Sequence, residues 1–410
     1  MSHRVAVTGL GIVSPIGSGV ERFWDAVLAG RIGIDAITRF ETEGYASRLA
    51  AEVRDFDPAD YLDRKRVRRT DRFAQFALAA AHGAVDDAGF AANGTRADVG
   101  VWIGSALGGV AYADEQHDVF RERGLGAVKP LLAISVFGGA ATCNVAMEFD
   151  VRGPTVANAN SCASGAVAIG EAFRAISRGD VRAAIAGGAE APLSPLTFGA
   201  FTIIGAMSRR NDDPSHASRP FDLQRDGFVM AEGAGILILE RLEDALARGA
   251  RVYGEIVGYG ATNDAHHMSA PRPDGEDAAR AIAAALDEAQ LVPDEIEAIN
   301  AHGSSTPLGD RVETVALRRA LGATLERIPI TATKGQHGHA FGASGAWEAA
   351  LSLLALRRGI LPRVVGLIVD DPACSLQFVR ENLERSIRTV LSITTGFGGL
   401  NAALVLRACE

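Results

Sequence analysis

The sequence predicts an α/β protein in which helices cover the faces of a sheet. Segments typical of buried strands alternate with segments of helical periodicity from one end of the chain to the other. The 46 glycines, set against 17 phenylalanines and 3 tryptophans, favour tight turns and close packing of these elements. Hydrophobic residues make up 48% and charged residues 22% of the 410 positions, which are ordinary globular values. An intrinsically disordered, fibrous or low-complexity protein is therefore excluded.

The individual elements follow from the spacing of apolar residues. Short apolar runs predict buried strands at 5–8, 99–104, 183–186, 235–239, 296–301 and 390–394. Apolar residues that recur every three or four positions predict amphipathic helices at 72–88, 164–176, 277–289, 310–321 and 344–357. No linker rich in proline or serine interrupts them, so we expect two halves, 1–250 and 251–410, fused through packed structure. A reactive-looking turn in each half makes a duplicated fold with its site at the junction a reasonable hypothesis.

The acidic net charge and the few cysteines exclude several classes of protein for this chain. Broad nucleic-acid binding needs a basic face, which a formal net charge of -9 does not supply. The 4 cysteines include no C-x-x-C pair, so we predict neither a disulfide framework nor a zinc site, and we expect a cytoplasmic protein. The N-terminus lacks the pattern of a signal peptide, and no apolar run reaches the roughly 18 residues of a membrane span.

Cys162 has the sequence context of a nucleophile. It lies in the small-residue segment NSCASG, directly before the predicted helix at 164–176. The free N–H groups and partial positive charge of a helix N-terminus favour a thiolate, so we expect a lowered pKa for this thiol. The alternative is a buried structural cysteine, which is our interpretation of Cys143, Cys374 and Cys409.

Two histidine motifs follow predicted strands in the second half. His302 lies in NAHGSSTPLGD, and His339 lies in TKGQHGHAFGASG together with Lys334 and His337. A histidine that precedes a helix is expected to be neutral and able to donate a hydrogen bond. Three histidines also raise the alternative of a metal site, but no acidic ligand cluster accompanies them, so no metal is predicted.

A glycine-rich loop, GFGG at 396–399, follows the last predicted strand. Its backbone can approach a ligand closely, with the ring of Phe397 as a gate. Taken with NSCASG and the two histidine motifs, this loop resembles the β-ketoacyl-acyl-carrier-protein synthases, condensing enzymes of the thiolase superfamily. The resemblance covers the whole chain and lies nearest the synthase II enzymes and the ketosynthase subunits of type II polyketide systems, with a lean to the latter. It implies a duplicated, five-layered α/β/α/β/α fold.

The resemblance implies an acyltransferase that carries out a decarboxylative Claisen condensation. Cys162 takes an acyl chain from the phosphopantetheine thioester of a carrier protein. His302 and His339 hydrogen-bond the malonyl thioester oxygen and stabilise the enolate. The backbone N–H groups of Cys162 and Phe397 hold the oxyanion of the acyl thioester.

Supporting residues are also implied by the resemblance. Lys334 is expected behind His339, paired with Glu313. Ser304 and Thr306 are expected to bind the pantetheine amides. Leu107, in GSALGGV, is expected to form part of the wall of the acyl pocket.

The implied partners are an acyl carrier protein and a second subunit. The densest basic run of the chain is the expected docking patch for the acidic carrier, and its members are Arg64, Lys65, Arg66, Arg68, Arg69 and Arg72. A solvated helix start is the alternative for this run. The subunit is expected to pair with itself or with a chain-length factor. No bound cofactor, nucleic acid or membrane is expected, because the substrates arrive on 4'-phosphopantetheine.

The chain departs from the family pattern in three places. Thr395 and Leu400 flank the GFGG loop where the fatty-acid enzymes have an aromatic residue and a threonine. Pro362 is followed by arginine in place of a second proline, and Gly335 replaces the serine after the lysine, with His337 as an additional histidine. These changes leave the acyl specificity and the partner open.

Four other classes of protein are alternatives to this interpretation. A thiolase would carry a second catalytic cysteine, the synthase III branch would show Cys-His-Asn, and a Cys-His hydrolase would need an orienting residue that is not evident. A chain-length factor shares the fold without catalysis but lacks the cysteine, so Cys162 argues against it.

Overall fold

The structure, a computed structural model, describes residues 2–90 and 96–409. Their strands are β1 (Val5–Val13), β2 (Asp35–Ala36), β3 (Leu49–Ala51), β4 (Val99–Gly104), β5 (Thr155–Asn158), β6 (Ala183–Glu190), β7 (Met230–Ala231), β8 (Gly233–Arg241), β9 (Gly254–Asn263), β10 (Ala298–Asn300), β11 (Ile330–Thr331), β12 (Ile360–Leu361), β13 (Leu383–Glu384), β14 (Thr389–Gly396) and β15 (Leu400–Arg407). Their helices are α1 (Val20–Ala29), α2 (Arg64–Val67), α3 (Arg72–Ala88), α4 (Val110–Arg123), α5 (Leu132–Ser135), α6 (Ala140–Glu148), α7 (Ser164–Arg178), α8 (Pro195–Ile204), α9 (Leu242–Ala247), α10 (Glu276–Ala289), α11 (Pro307–Leu321), α12 (Lys334–His337) and α13 (Ser344–Arg358).

Ten of these strands form one sheet in the order β11-β10-β14-β15-β9-β1-β8-β6-β4-β5. Strands of the N-terminal half occupy one end of this order and strands of the C-terminal half the other. The two groups of strands meet in the middle of the sheet, where β1 pairs antiparallel with β9 through Val5–Val7 and Gly254–Ile256. The sheet is therefore continuous across the junction of the halves.

Helices divide this sheet into five layers. α3 covers the outer face of the N-terminal strands, and α10 covers the outer face of the C-terminal strands. α7 and α13 pack against each other between the two sheet halves, where α7 contacts β4 and β6 and α13 contacts β14 and β15. The order of layers is thus helix, sheet, helix, sheet, helix.

Small residues bring the two central helices close together. Gly165 at the start of α7 lies against the carbonyl of Gly342, at 2.5 Å from where a Cβ would be. The Trp347 side chain of α13 is fully buried and donates its indole N–H to the Ala234 carbonyl at 2.8 Å. The contact of Gly165 with Gly342 therefore places the starts of α7 and α13, and the loops before them, next to each other.

All six predicted strands and all five predicted helices are present in the structure. Of the large sheet the prediction missed β5, β9, β11 and β15, and of the helices longer than eight residues it missed α1, α4, α6 and α8; the strands of the two small sheets and the short helices were not predicted either. β9 contains three glycines in GEIVGYGATN, so its sequence lacks the continuous apolar run that marks the other central strands. Among the described residues, no helix is long and apolar enough to cross a membrane.

Candidate active site

Cys162 lies in a single 3-10 turn, Ser161–Ala163, that leads directly into α7. Ser161 has a φ of 52°, a left-handed conformation that a non-glycine residue rarely adopts. The turn is held by the Ser164 hydroxyl, which donates to the Ser161 carbonyl at 2.7 Å. A side chain at Gly396 would place a Cβ 3.0 Å from the Cys162 nitrogen, so glycine is needed there for this close approach.

The expected lowering of the Cys162 pKa is wrong for the substrate-free structure. Burial among apolar residues raises the pKa of this thiol to about 11, although the Ser161 hydroxyl, the Lys334 charge and the Phe397 N–H oppose the increase. The side chain is 5% exposed and belongs to a cluster that includes Phe228 and Phe341. Desolvation outweighs the helix N-terminus here, so the sulfur is a neutral thiol near pH 7.

His339 is brought to the sulfur by backbone pairing with the strand segment around β7. Its N–H donates to the Val229 carbonyl at 2.7 Å, and its Nε2 lies 3.0 Å from the Cys162 Sγ. The Ser344 hydroxyl oxygen accepts the Ala340 N–H at 3.0 Å and lies 3.0 Å from His339 Nδ1. The Ser344 hydroxyl is placed to donate its proton to Nδ1, and in that arrangement the ring proton is on Nε2, facing the sulfur.

His302 follows β10 and presents the same ring nitrogen to the site. Lys334 Nζ lies 3.3 Å from Nδ1 and donates to the His302 carbonyl at 2.6 Å. An ammonium group only donates, so Nδ1 is the acceptor and Nε2 carries the proton. The two imidazole centroids are 5.2 Å apart. Burial, the Lys334 charge and the facing ring lower the pKa of His302 well below its usual value.

Lys334 pairs with Glu348 and not with Glu313, so the predicted pairing is wrong. Its ammonium forms a fully buried ion pair with the Glu348 carboxylate of α13. Glu313 instead accepts the backbone N–H groups of His302, at 2.6 Å, and Gly303, at 2.8 Å. These two donors occupy the carboxylate that was expected to bind the lysine. Lys334 therefore contacts His302 directly, where the prediction had placed it behind His339.

Glu348 is a functional residue that the sequence interpretation missed. It is 1% exposed in the middle of the apolar helix segment SGAWEAALSLL, and the Thr394 hydroxyl donates to its second oxygen at 3.3 Å. An acidic residue in an otherwise apolar helix was a signal available in the sequence, because a buried carboxylate needs a cationic partner or several hydrogen-bond donors.

These residues open into a cavity of about 300 Å³. Its lining includes Cys162, His302, His339, Ser304, Thr306, Phe397 and Phe341. The Ser304 and Thr306 hydroxyls are 2.9 Å apart, and Thr306 also caps α11 by accepting the Gly309 N–H at 3.1 Å. Leu107 does not line this cavity, and its N–H donates to Glu190 at 3.1 Å.

The loop at 396–399 places an aromatic ring beside the sulfur. The Phe397 ring stacks on Phe201 with centroids 6.2 Å apart and planes inclined by 11°. Its backbone N–H faces the Cys162 sulfur and contributes to stabilising the thiolate. Gly398, at φ 78°, adopts the left-handed conformation that lets the loop turn back into β15.

His337 lies outside the cavity. Its Nδ1–H donates to the Gly338 carbonyl at 2.9 Å, and its Nε2 accepts from the Thr333 hydroxyl at 2.9 Å. The ring packs against Trp347, and burial lowers its pKa to about 3. This additional histidine is a satisfied core residue that supports the segment between Lys334 and His339.

The predicted basic run forms the surface around α2. Arg64, Lys65, Arg68 and Arg69 are exposed, whereas Arg66 is half-buried and pairs with Glu148. Arg72 does not belong to this surface, because it turns inward to pair with the buried Glu232 at 2.8 Å and lies over the Phe76 ring. The expectation for Arg72 is therefore corrected.

Known proteins are similar to this chain in sequence and fold over nearly its whole length. Residues 2–245 match the family model for the beta-ketoacyl synthase N-terminal domain, and residues 253–367 match that for the C-terminal domain. A 3-oxoacyl-[acyl-carrier-protein] synthase 2 from Synechocystis is 44% identical over 406 residues, which cover 98% of each chain. The solved ishigamide ketosynthase/chain length factor matches with a TM-score of 0.94 at 35% identity, over the full length of both chains. A type II PKS acyl-carrier protein in complex with its ketosynthase matches with a TM-score of 0.92 at 34% identity, also over both full lengths.

Proposed function

The chain belongs to the β-ketoacyl synthase family, and on that basis we propose that Cys162, His302 and His339 together carry out its condensation reaction. The chain is a ketosynthase, an acyltransferase of fatty-acid or type II polyketide biosynthesis, with the predicted thiolase-like fold. The alternative of a non-catalytic chain-length factor is not favoured. The observation that carries the proposal is the 3.0 Å approach of His339 Nε2 to the Cys162 sulfur inside the cavity that His302 also lines.

In the first half-reaction, Cys162 exchanges its proton for an acyl group. The sulfur attacks the thioester carbonyl of an acyl carrier protein, and the tetrahedral oxyanion is held by the backbone N–H groups of Cys162 and Phe397. The carrier thiolate then leaves and takes up the proton that Cys162 has lost. Because the resting sulfur is neutral, thiol deprotonation is part of this step.

In the second half-reaction, the two imidazoles stabilise an enolate. Both rings are neutral and carry their proton on Nε2, so they donate two hydrogen bonds to the malonyl thioester oxygen. Loss of carbon dioxide moves an electron pair onto that oxygen, and the donors strengthen as the charge develops. The enolate carbon attacks the acyl thioester, the carbon–sulfur bond to Cys162 breaks, and the sulfur regains a proton. The product is a β-ketoacyl carrier protein.

Lys334 is proposed to fix the tautomer of His302. Its ammonium prevents protonation of Nδ1 and keeps the ring from becoming a cation, while Glu348 balances the buried charge. Ser304 and Thr306 are proposed to bind the pantetheine amides, which is supported by their hydroxyls in the cavity lining. Leu107 stays a proposed wall residue of the acyl pocket.

The exposed basic residues around α2 are proposed to dock the carrier protein. The solved relative that contains a carrier protein with its ketosynthase supports such a partner. Arg64, Lys65, Arg68 and Arg69 are the accessible charges, and Arg66 is partly engaged by Glu148. Their attraction to an acidic carrier speeds association and weakens as salt is added.

A second subunit of the same fold is proposed to pair with the edge of the large sheet. β5 is the terminal strand in the sheet order, and its Thr155–Ala157 segment is exposed. The exposed apolar side chain of Met147 lies on α6, which packs against β5. An open edge beside an apolar surface is typical of an interface. The chain length factor in one solved relative supports a partner of this fold, either a second copy or a related subunit.

The polyketide pathway and a cytoplasmic location also remain proposals. The full-length match to the ishigamide ketosynthase/chain length factor supports the polyketide branch, as do Thr395 and Leu400 beside the 396–399 loop.

The proposal is tested by intact-protein mass spectrometry of the chain and of Cys162→Ala. Each is incubated first with a medium-chain acyl carrier protein and then with malonyl carrier protein. We expect an acyl adduct on the unmodified chain only, followed by a β-ketoacyl carrier protein. Acylation without extension would point to a missing partner subunit. The absence of any adduct, also when a chain-length factor is supplied, would exclude Cys162 as the nucleophile.

A further inference from the structure

Glu190 is a fully buried carboxylate at the end of β6 that the mechanism above does not use. Its Oε2 accepts the Ala106 N–H at 2.7 Å and the Gly342 N–H at 3.0 Å. Its Oε1 accepts the Ser105 hydroxyl at 2.9 Å and the Leu107 N–H at 3.1 Å. Four donors converge on it and favour the ionised carboxylate, but burial outweighs them and raises the pKa of Glu190 to about 7, so the group is ionised in the alkaline range where the Cys162 thiol titrates.

These donors come from two separate parts of the chain. One is the loop at 105–107 that follows β4 and contains Leu107, the proposed wall residue of the acyl pocket. The other is the 3-10 turn Phe341–Ala343, which begins two residues after His339 and leads into α13. A single carboxylate therefore connects the loop of the acyl-pocket wall to the segment that carries His339.

Gly342 shows how closely these two parts approach each other. A Cβ at this position would lie 2.8 Å from the Ser105 Cα, 2.9 Å from Glu190 Oε2 and 3.0 Å from the Ala106 nitrogen. Its carbonyl lies against Gly165 and Gly188 of the N-terminal half. At this contact, the Glu190 side chain hydrogen-bonds to both segments and so links them.

We propose that Glu190 is a positioning residue for the condensation step. It holds the acyl-pocket wall at 105–107 and the His339 segment in one relative geometry, so that the acyl thioester on Cys162 and the enolate-stabilising imidazole stay aligned. This inference rests on the proposed function. Misplacement of reacting groups by about 1 Å costs about a hundredfold in rate, so loosening this connection reduces condensation more than it reduces the binding of either carrier protein.

The Glu190 charge also acts on the nucleophile. The pKa of Cys162 is raised mainly by burial, and the nearby Glu190 carboxylate adds to the increase. Removing this charge lowers the pKa of the thiol, an effect that a purely structural residue would not have.

The test compares Glu190→Gln with Glu240→Gln. Glu190→Gln keeps the volume of the side chain but turns an amide NH2 toward the backbone donors. Glu240→Gln is the matched control, because Glu240 is a buried carboxylate of β8 whose partners are the Thr8 hydroxyl and Arg248. For Glu190→Gln we expect an intact acyl adduct on Cys162, a condensation rate reduced about ten- to a hundredfold, and an iodoacetamide alkylation profile of Cys162 displaced to lower pH. Glu240→Gln should leave the ratio of condensation to acylation and the alkylation profile unchanged.

A second variant separates geometry from charge. Gly342→Ala forces the same two segments apart with the Glu190 charge retained, so we expect reduced condensation and an alkylation profile at the wild-type position. A folded Glu190→Gln variant with wild-type condensation and a wild-type alkylation profile would overturn the inference, as would undiminished condensation in Gly342→Ala. If the wild-type chain takes no acyl group, the proposed function fails, whereas the alkylation profile, which needs no carrier protein, still tests the effect of Glu190 on Cys162.

Discussion

Burial changes the proton affinity of the thiol and of the imidazoles at this site in opposite directions. Transfer from water disfavours any charged form, so the pKa of Cys162 rises while the pKa values of His302 and His339 fall well below their usual range. Near pH 7 the site therefore holds a thiol and two neutral rings. Neutral rings that carry their proton on Nε2 donate hydrogen bonds to an enolate oxygen and can stabilise it without transferring a proton to it.

The pH dependence of alkylation tests this distribution of protons. Only the thiolate reacts, and with a pKa of about 11 its fraction increases about tenfold per pH unit at every pH below that value. We expect the rate of Cys162 carbamidomethylation, measured by peptide mass spectrometry, to rise without a plateau from pH 7 to about 10. The exposed Cys143 in the same digest reports reagent activity. A plateau below pH 8 would show that the thiolate is stabilised in the resting enzyme.

The Lys334–Glu348 ion pair is tested by a double-mutant cycle. Removing one member of a buried pair leaves an uncompensated charge, so Lys334→Met should lower the free energy of unfolding by about 3–5 kcal/mol. The double variant with Glu348→Gln should regain part of that loss, whereas the double variant with Glu313→Gln should not, because Glu313 binds backbone N–H groups. Urea unfolding measures both couplings. If Glu313→Gln, and not Glu348→Gln, recovered the stability lost in Lys334→Met, Lys334 would pair with Glu313, as the sequence analysis expected.

The sequence was sufficient to bring out the residues proposed to act in the reaction and insufficient for the contacts of the residues behind them. Cys162, His302 and His339 each lie in a short motif beside a predicted element, and the structure places all three around one cavity. The partner of Lys334 was not predictable in this way. Which of two buried glutamates binds the lysine depends on where Glu313 and Glu348 face after α11 and α13 have packed, and residue spacing does not contain that information.

At the scale of the elements, two of the departures from the family pattern are physically connected. A Cβ at Gly335, where the family has serine, would overlap the carbonyl oxygen of Val365. Val365 lies in the segment after Pro362, whose sequence also departs from the pattern. The sequence alone presented these as independent changes, because the contact joins α12 to a segment about thirty residues away.

Introducing the family serine therefore should destabilise this chain. We expect Gly335→Ser to lower the free energy of unfolding by about 1–3 kcal/mol, since the added atoms must displace backbone rather than a flexible side chain. Urea denaturation measures the change. Gly126→Ala is the control, because no atom lies within 4 Å of its added Cβ. Unchanged stability of Gly335→Ser would mean that the segment around Val365 moves aside without cost.

Element prediction failed where glycines interrupt the apolar run, as in β9, and where a helix lacks a polar stripe, as in α8; β15 was missed although its apolar run is continuous. α8 is apolar on all sides, with exposed Leu196 and Ile203, so it lacks the polar stripe of an amphipathic helix. Its exposed apolar residues are consistent with the proposed second subunit, which would remove such a surface from water.

For the whole molecule, the edge strand β5 makes the oligomeric state testable. The N–H of Val101 bonds the Pro154 carbonyl and that of Ser105 bonds the Asn158 carbonyl, so the backbone groups of the intervening odd-numbered residues, including Ala157, point away from β4. Ala157→Pro removes an outward N–H and leaves the β4–β5 ladder in place.

We expect the wild-type chain to sediment as a dimer and Ala157→Pro to sediment as a monomer with unchanged far-UV circular dichroism. Analytical ultracentrifugation measures the mass against the 42.9 kDa of one chain. Ala157→Asp, which adds charge to the same edge, is a second variant if proline disturbs folding. A dimer of undiminished stability in both variants would exclude β5 from the interface. A wild-type chain that dimerises only with a chain-length factor would identify the heterodimer as the working form.

The division into halves at 1–250 and 251–410 remains a proposal at this scale. It is supported by the layer order, in which β1, β4, β5, β6 and β8 form one sheet half and β9, β10, β11, β14 and β15 form the other. Duplication of this kind is hard to see in one sequence, because two halves can keep an architecture after their residues have diverged.

The pairing of β1 with β9 joins the two halves of this enzyme through their backbones. Separating them would break the backbone hydrogen bonds of Val5–Val7 with Gly254–Ile256 and expose the glycine contacts near Cys162 and His339. We therefore expect turnover to proceed without a clamshell motion of the halves over each substrate. On the proposed function, the acyl and malonyl carrier proteins would use the same chamber in succession, and we expect small movements of short segments such as 396–399, which contribute to the cavity lining, to admit one acyl group and then the other.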